Sequence, residues 1–136
     1  MRKSAIAACV LMAGSFVSSL HAQPTEVHFT APFHFTVSGR TLPAGAYRCY
    51  TQPDGILILQ KMDRTTGALS PITLSDTPGP HHGIVFHKYG DRYFLREIDS
   101  AVGQVNGELP ISKPERQIQR LEASTPVEEV TVALGN

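Results

Sequence analysis

Apolar and polar positions alternate with a period of two along most of the chain, which predicts antiparallel strands separated by turn residues. Val27 and Phe29 alternate with polar neighbours, and Phe33, Phe35 and Val37 continue the pattern after Pro32. Pro32 cannot donate to a ladder, so this first segment is expected to bend there or to lie at a sheet edge. A turn over residues 42–45 leads into a strand over 46–52, and Pro53-Asp54-Gly55 turns the chain into an apolar strand over 56–62. Residues 63–67 read as a loop, 69–74 as a weak strand interrupted by Pro71, and 75–83 as a Pro/Gly-rich surface loop. Strands over 83–89 and 92–98 flank Gly90-Asp91, and residues 127–134 alternate as a last strand with Val130 and Val132 on one face.

Two hairpins can be read to the level of register. A two-residue Gly90-Asp91 loop pairs Tyr89 with Arg92, His87 with Phe94 and Phe86 with Leu95. One face of that hairpin then carries Ile84, Phe86, Tyr93 and Leu95, which belong in the core. The other carries Val85, His87, Tyr89, Arg92, Phe94 and Arg96, a mixture of aromatic and basic groups. For the hairpin around Pro53-Asp54-Gly55, a two-residue loop would set Arg48 opposite Lys61, and like charges there are destabilising. A three-residue loop with Gly55 in the left-handed region sets Arg48 opposite Gln60 and Cys49 opposite Leu59, and it suits the turn chemistry. Cys49 then shares a face with Leu57 and Leu59, which predicts burial.

One helix is expected, over about 113–123. Ser112-Lys113-Pro114-Glu115 has the spacing of a capping box, and Pro114 falls in the first turn, where its missing N–H costs little. Pro114, Ile118 and Leu121 form a narrow apolar stripe at helical spacing, with Lys113, Arg116 and Arg120 on another face. About seven strands and one C-terminal helix before a last strand predict a mainly β fold, a small antiparallel sandwich or barrel. Alternation alone leaves both open.

Composition narrows the class. The chain has 136 residues, 41% of them apolar, with twelve Lys/Arg against twelve Asp/Glu. That is the size of one domain, and it argues against intrinsic disorder or a polybasic nucleic-acid binder. Arg2 and Lys3 followed by an apolar run to about Val17 and by Leu20-His21-Ala22 have the layout of a secretory signal peptide. The expected organisation is therefore a signal over 1–22, cleavage between Ala22 and Gln23, and a single β-rich domain over 23–136. The apolar run is too short and Ser-rich for a spanning helix, and no later stretch is long enough, so no transmembrane span is expected after cleavage. Cys9 lies too early in the run for a lipidation site. Losing Arg2 and Lys3 leaves ten basic residues against twelve acidic ones, a formal charge of −2. It also leaves Cys49 as the one cysteine, so the domain relies on its core rather than on intrachain disulfides. Cys49 is then either buried and inert or available to bridge two chains.

Several segments together carry a resemblance. They are Pro32-Phe33-His34-Phe35-Thr36-Val37, Leu42-Pro43-Ala44-Gly45-Ala46-Tyr47, Val85-Phe86-His87-Lys88-Tyr89-Gly90-Asp91-Arg92-Tyr93-Phe94-Leu95 and Glu108-Leu109-Pro110-Ile111-Ser112-Lys113-Pro114-Glu115-Arg116. The chain resembles, from Val27 to about Arg120, an uncharacterised family of small exported β-rich proteins common in soil-bacterial genomes. The resemblance implies export, to the periplasm or the extracellular space, and a single β domain. It implies no particular chemistry.

Candidate chemistry is sparse. His28, His34, His81, His82 and His87 lack the spacing of a zinc site, and adjacent His81 and His82 cannot easily chelate one ion together, so no metal or other cofactor is expected. Cys49 beside Leu57 and Leu59 reads as a small core hydrophobe rather than a nucleophile. No Ser nucleophile motif, phosphate-binding loop or close pair of pocket carboxylates is legible, with Asp91 and Asp99 placed in turns and Glu128 and Glu129 on opposite faces. The expectation is a protein without catalytic residues. The best candidate binding surface is the face bearing His87, Tyr89, Arg92 and Arg96, where guanidinium donors adjoin an aromatic ring. A favourable Tyr89–Arg92 cross-strand pair on a solvated face is the plainer alternative. The reading is an exported interaction module for a protein or polysaccharide of the envelope. The alternatives are a small-ligand carrier with an apolar barrel interior, or a subunit that assembles through edge strands such as 127–134.

Overall fold

The computed structural model describes residues 26–77, 79–100, 105–122 and 126–135. The signal segment, Cys9 and the Ala22/Gln23 junction lie outside the described residues. The strands are β1 (Val27–Ala31), β2 (Phe35–Val37), β3 (Arg40–Leu42), β4 (Gly45–Thr51), β5 (Ile56–Lys61), β6 (Gly67–Pro71) and β7 (Thr73–Leu74). There follow β8 (Gly83–Tyr89), β9 (Arg92–Asp99), β10 (Asn106–Glu108), the helix α1 (Lys113–Leu121), β11 (Glu128–Val132) and β12 (Leu134–Gly135).

They form two sheets, one in the order β12-β1-β4-β5-β6 and the other β11-β8-β9-β10-β7. The chain changes sheet at both edges through single residues, at Ile72 between β6 and β7 and at Ala133 between β11 and β12. The β5–β6 pairing runs through Pro71 and ends with the Ile72 N–H on the Gly55 carbonyl at 3.0 Å, after which the chain crosses over, so the weak strand expected over 69–74 becomes two strands in different sheets. A fold between sandwich and barrel results, with the sheets linked on both sides. The first segment bends at Pro32 as expected, and β2 leaves β1's sheet to meet β9 in parallel. A further hairpin, not anticipated, joins β2 to β3 through Ser38 and Gly39, whose φ values of +48° and +82° suit a two-residue loop. That hairpin, the divided strands and β10 raise the count from about seven to twelve.

Both expected registers are present. Cys49 lies opposite Leu59 and Arg48 opposite Gln60 across a three-residue loop, with Gly55 at φ +81°. Tyr89 pairs with Arg92, His87 with Phe94 and Phe86 with Leu95. One residue further on a bulge intervenes, so that Val85 faces Glu97 and Arg96 is the extra residue. The bulge reverses the inside/outside parity of β9. Leu95 and Ile98, an odd number of residues apart, are consequently both buried in the core.

The inward faces interlock through aromatic rings. Phe35 stands edge-on to Tyr47 and Phe86, and Phe33 stacks on Tyr93 with ring centroids 3.7 Å apart. Leu42, Leu57, Leu59, Ile84 and Ile98 complete a core of fully buried side chains. Cys49 is among them, and burial raises its thiol pKa to about 12. The interior is thus filled by side chains.

Candidate functional site

The face of the β8–β9 hairpin expected to carry a binding surface is not open. Helix α1 lies across it, and Tyr89, Phe94 and Ile118 form a second small core beneath the helix. Tyr89 is 4% exposed, and Arg96 and His87 are largely covered. The helix thus covers three of the four residues of the expected binding surface, and the plainer alternative of a solvated face is corrected for them as well. Only Arg92, at the turn, remains exposed, with its guanidinium over the Phe94 ring.

Glu115 organises this covered face. Its spacing from Ser112 predicts a capping box, but Ser112 makes no side-chain cap bond. The Glu115 carboxylate, 1% exposed, instead accepts hydrogen bonds from the Tyr89 hydroxyl at 3.1 Å and the Arg96 guanidinium at 3.3 Å. His87 Nδ1 lies 3.5 Å away, and Gln119 donates to the Tyr89 hydroxyl at 2.9 Å. Burial by itself would push the Glu115 carboxyl up, but His87, Arg96 and Tyr89 together hold it below its ordinary value. The predicted apolar stripe is reduced to Ile118 and Pro114, because Leu121 is 85% exposed. The helix is therefore held to the sheet as much by a polar clamp as by apolar contact.

An open cleft of about 440 Å³ lies beside this face, between residues 73–77 and 79–81 on one side and the β9–β10 pair on the other. Its wall is pinned by Asp99, a buried carboxylate at the end of β9 rather than a turn residue. Asp99 accepts from the backbone N–H groups of Gly79 at 2.9 Å, His81 at 2.6 Å and His82 at 3.0 Å. A Cβ at position 79 would stand 2.9 Å from the Asp99 carboxylate and 3.0 Å from that of Glu97, so a side chain there would require these carboxylates to shift. Glu97 faces Glu108 directly across the β9–β10 ladder, and both line the cleft with His81 and Asn106. Burial raises the Glu97 pKa first, and the neighbouring Asp99, Glu108 and Glu129 add to it against the opposing pull of His81. These pocket carboxylates escaped the sequence reading. The signal that could have found them is the sequence distance from Leu95 to Ile98, which demands a bulge and turns Glu97 to the side opposite the core.

A second groove, of about 310 Å³, crosses the outer face of the five-stranded sheet. Tyr50, Ile58 and Leu69 form a cross-strand row there, flanked by Arg40, Gln60 and Arg64. Among the described residues, no group of three or more His, Cys, Asp or Glu side chains is placed to hold a metal ion. His81 and His82 are used through their backbones, and His28 bonds Glu26. No described helix is long and apolar enough to cross a membrane.

With this geometry in hand, comparison with protein-family models, with curated proteins and with solved structures returned no match.

Proposed function

We propose that the protein is an exported, non-catalytic interaction module of the cell envelope or extracellular space, belonging with the small exported β-rich proteins it resembles. The observation that carries this reading is the cleft beside β9 and β10. It is open, lined by mixed polar and apolar groups, and walled by a loop that Asp99 fixes through three backbone hydrogen bonds. Rigid walls reduce the entropy lost on binding, which is what a recognition surface requires. The residues best suited to nucleophilic or acid–base work elsewhere serve the fold, Cys49 as a core hydrophobe and Glu115 as the helix clamp. An enclosed carrier is less well supported, because aromatic side chains occupy the space between the sheets. Assembly through residues 127–134 is less well supported too, since the edges it would use are short, five residues in β11 and two in β12.

The test is a native mass spectrum of the protein recovered from its own host's envelope or culture fluid, with retention on host envelope material measured alongside. The expected result is a monomer beginning at Gln23 that envelope material retains, with retention lost in Glu97→Arg. An added mass of a few hundred daltons would move the reading to the carrier, and a ladder of multimers to the assembly subunit.

A further inference from the structure

We propose that the groove on the outer face of the five-stranded sheet docks an acidic polysaccharide, a proposal that rests on the interaction-module reading but on a different surface from the cleft. Three cross-strand neighbours form its floor: Tyr50 lies opposite Ile58, and Ile58 opposite Leu69, which is 64% exposed. Arg40 and Arg64 line the same groove with Gln60, and no acidic residue lines it.

The two arginines differ from Arg48 and Arg96, which are committed to partners within the fold. Arg48 is occupied by Gln60 and Glu26, and Arg96 by Glu115. Arg40 and Arg64 make no ion pair or side-chain hydrogen bond among the described residues. Their backbones are nonetheless set by tight turns. Arg64 sits at φ +63° with its N–H on the Lys61 carbonyl at 2.9 Å, while the Asp63 carboxylate caps Thr65 through its N–H and its hydroxyl. Arg40 follows directly on the Ser38-Gly39 turn. Two unpaired guanidiniums on preformed turns, over an apolar and aromatic floor, leave an anionic partner as the complementary chemistry.

Guanidinium forks grip carboxylates with paired hydrogen bonds, and a Tyr ring with aliphatic neighbours accepts the apolar face of a sugar ring. The groove is shallow and open along the sheet, which suits a polymer laid across it rather than an enclosed small anion. An acidic peptide adding as an extra strand is disfavoured at the adjoining β6 edge. Pro71 ends that strand and brings no N–H to it, and the strand is only five residues long.

Affinity electrophoresis of the full exported chain through gels containing polygalacturonate, uncharged amylose or polyglutamate tests the proposal. Polygalacturonate is expected to retard the protein most, and increasingly less as salt is raised. Arg40→Ala and Arg64→Ala should each weaken that retardation by about tenfold, the scale of one charged hydrogen-bonding group. Tyr50→Ala should weaken it too, with thermal unfolding unchanged in the exposed arginine variants. Equal retardation by polyglutamate would mean that charge alone is read and would overturn the proposal, as would undiminished binding by the Arg40→Ala/Arg64→Ala double variant. Preference for amylose would overturn the acidic specificity while leaving the interaction module standing. Retention by none of the three overturns the groove proposal, and only the separate loss of envelope retention at the cleft would remove the broader reading.

Discussion

Glu115 is the residue on which the helix depends, and its charge sets a pH limit. Its folded-state pKa lies below the ordinary carboxylate value, so ionised Glu115 stabilises the folded state above that value, near pH 4.3. The contribution is lost as pH falls from there through the folded pKa, when Arg96, His87 and Tyr89 lose their acceptor. Amide exchange across Lys113–Leu121 is therefore expected to accelerate below about pH 4, ahead of exchange in β4 and β5. Glu115→Gln should remove that acid-induced difference, and its persistence in the variant would show that another group controls helix docking. At neutral pH, Glu115→Ala leaves a guanidinium largely covered without its carboxylate and is expected to cost about 3 kcal/mol. The alternation of the sequence marks Tyr89 and Phe94 as sharing a face, and they do. It carries no information on Glu115 reaching Tyr89 and Arg96, because these partners lie 26 and 19 residues from it and meet it only when the helix crosses the hairpin.

Among the elements, the hairpins were readable and the sheet edges were not. Turn chemistry and like-charge avoidance are local, so the three-residue loop at Gly55 and the two-residue loop at Gly90 follow from a few adjacent residues. The pairing of β11 with β8 depends instead on a bare backbone. A Cβ on Gly83 would stand 2.5 Å from the Val132 carbonyl oxygen, closer than any side chain tolerates, so the two strands approach there because Gly83 has no side chain. Gly83→Ala is expected to destabilise the protein by about 1–3 kcal/mol through displaced packing. The loss should appear first as faster exchange in Glu128–Val132. A variant as stable as the wild type, with β11 still protected, would show that the edge accommodates the added methyl by a small shift. Contacts between distant segments likewise divide residues 127–134, which alternation alone presents as one strand, into β11 and β12. Alternation continues across Ala133, and only the positions of β8 and β1 divide it between two sheets.

For the whole molecule, the decisive fact is a filled interior. Tyr47, Phe29, Phe35 and Phe86 are each 2% exposed or less, and Cys49 is packed in the same core. Because burial raises the Cys49 thiol to about 12, thiolate is scarce at neutral pH and the sulfur is shielded as well. A disulfide reagent such as DTNB is expected to leave Cys49 unmodified in the native protein and to titrate it stoichiometrically in denaturant. Rapid native labelling would show that the core opens readily, and it would restore the possibility of an interchain bridge.

The mainly β class, two hairpin registers, the burial of Cys49 and the existence of the helix were legible in the amino-acid order, because each rests on contacts between near neighbours or on a fixed periodicity. The covering of the mixed face by α1, the bulge at Arg96, the pocket carboxylates and the convergence of Arg40 and Arg64 beside Tyr50 arise from packing between distant segments. Periodicity states which side of a strand is apolar. It cannot state which element will cover a side that is half apolar and half charged, and here that choice makes His87, Tyr89 and Arg96 part of the scaffold. The open cleft and the groove lie on other surfaces.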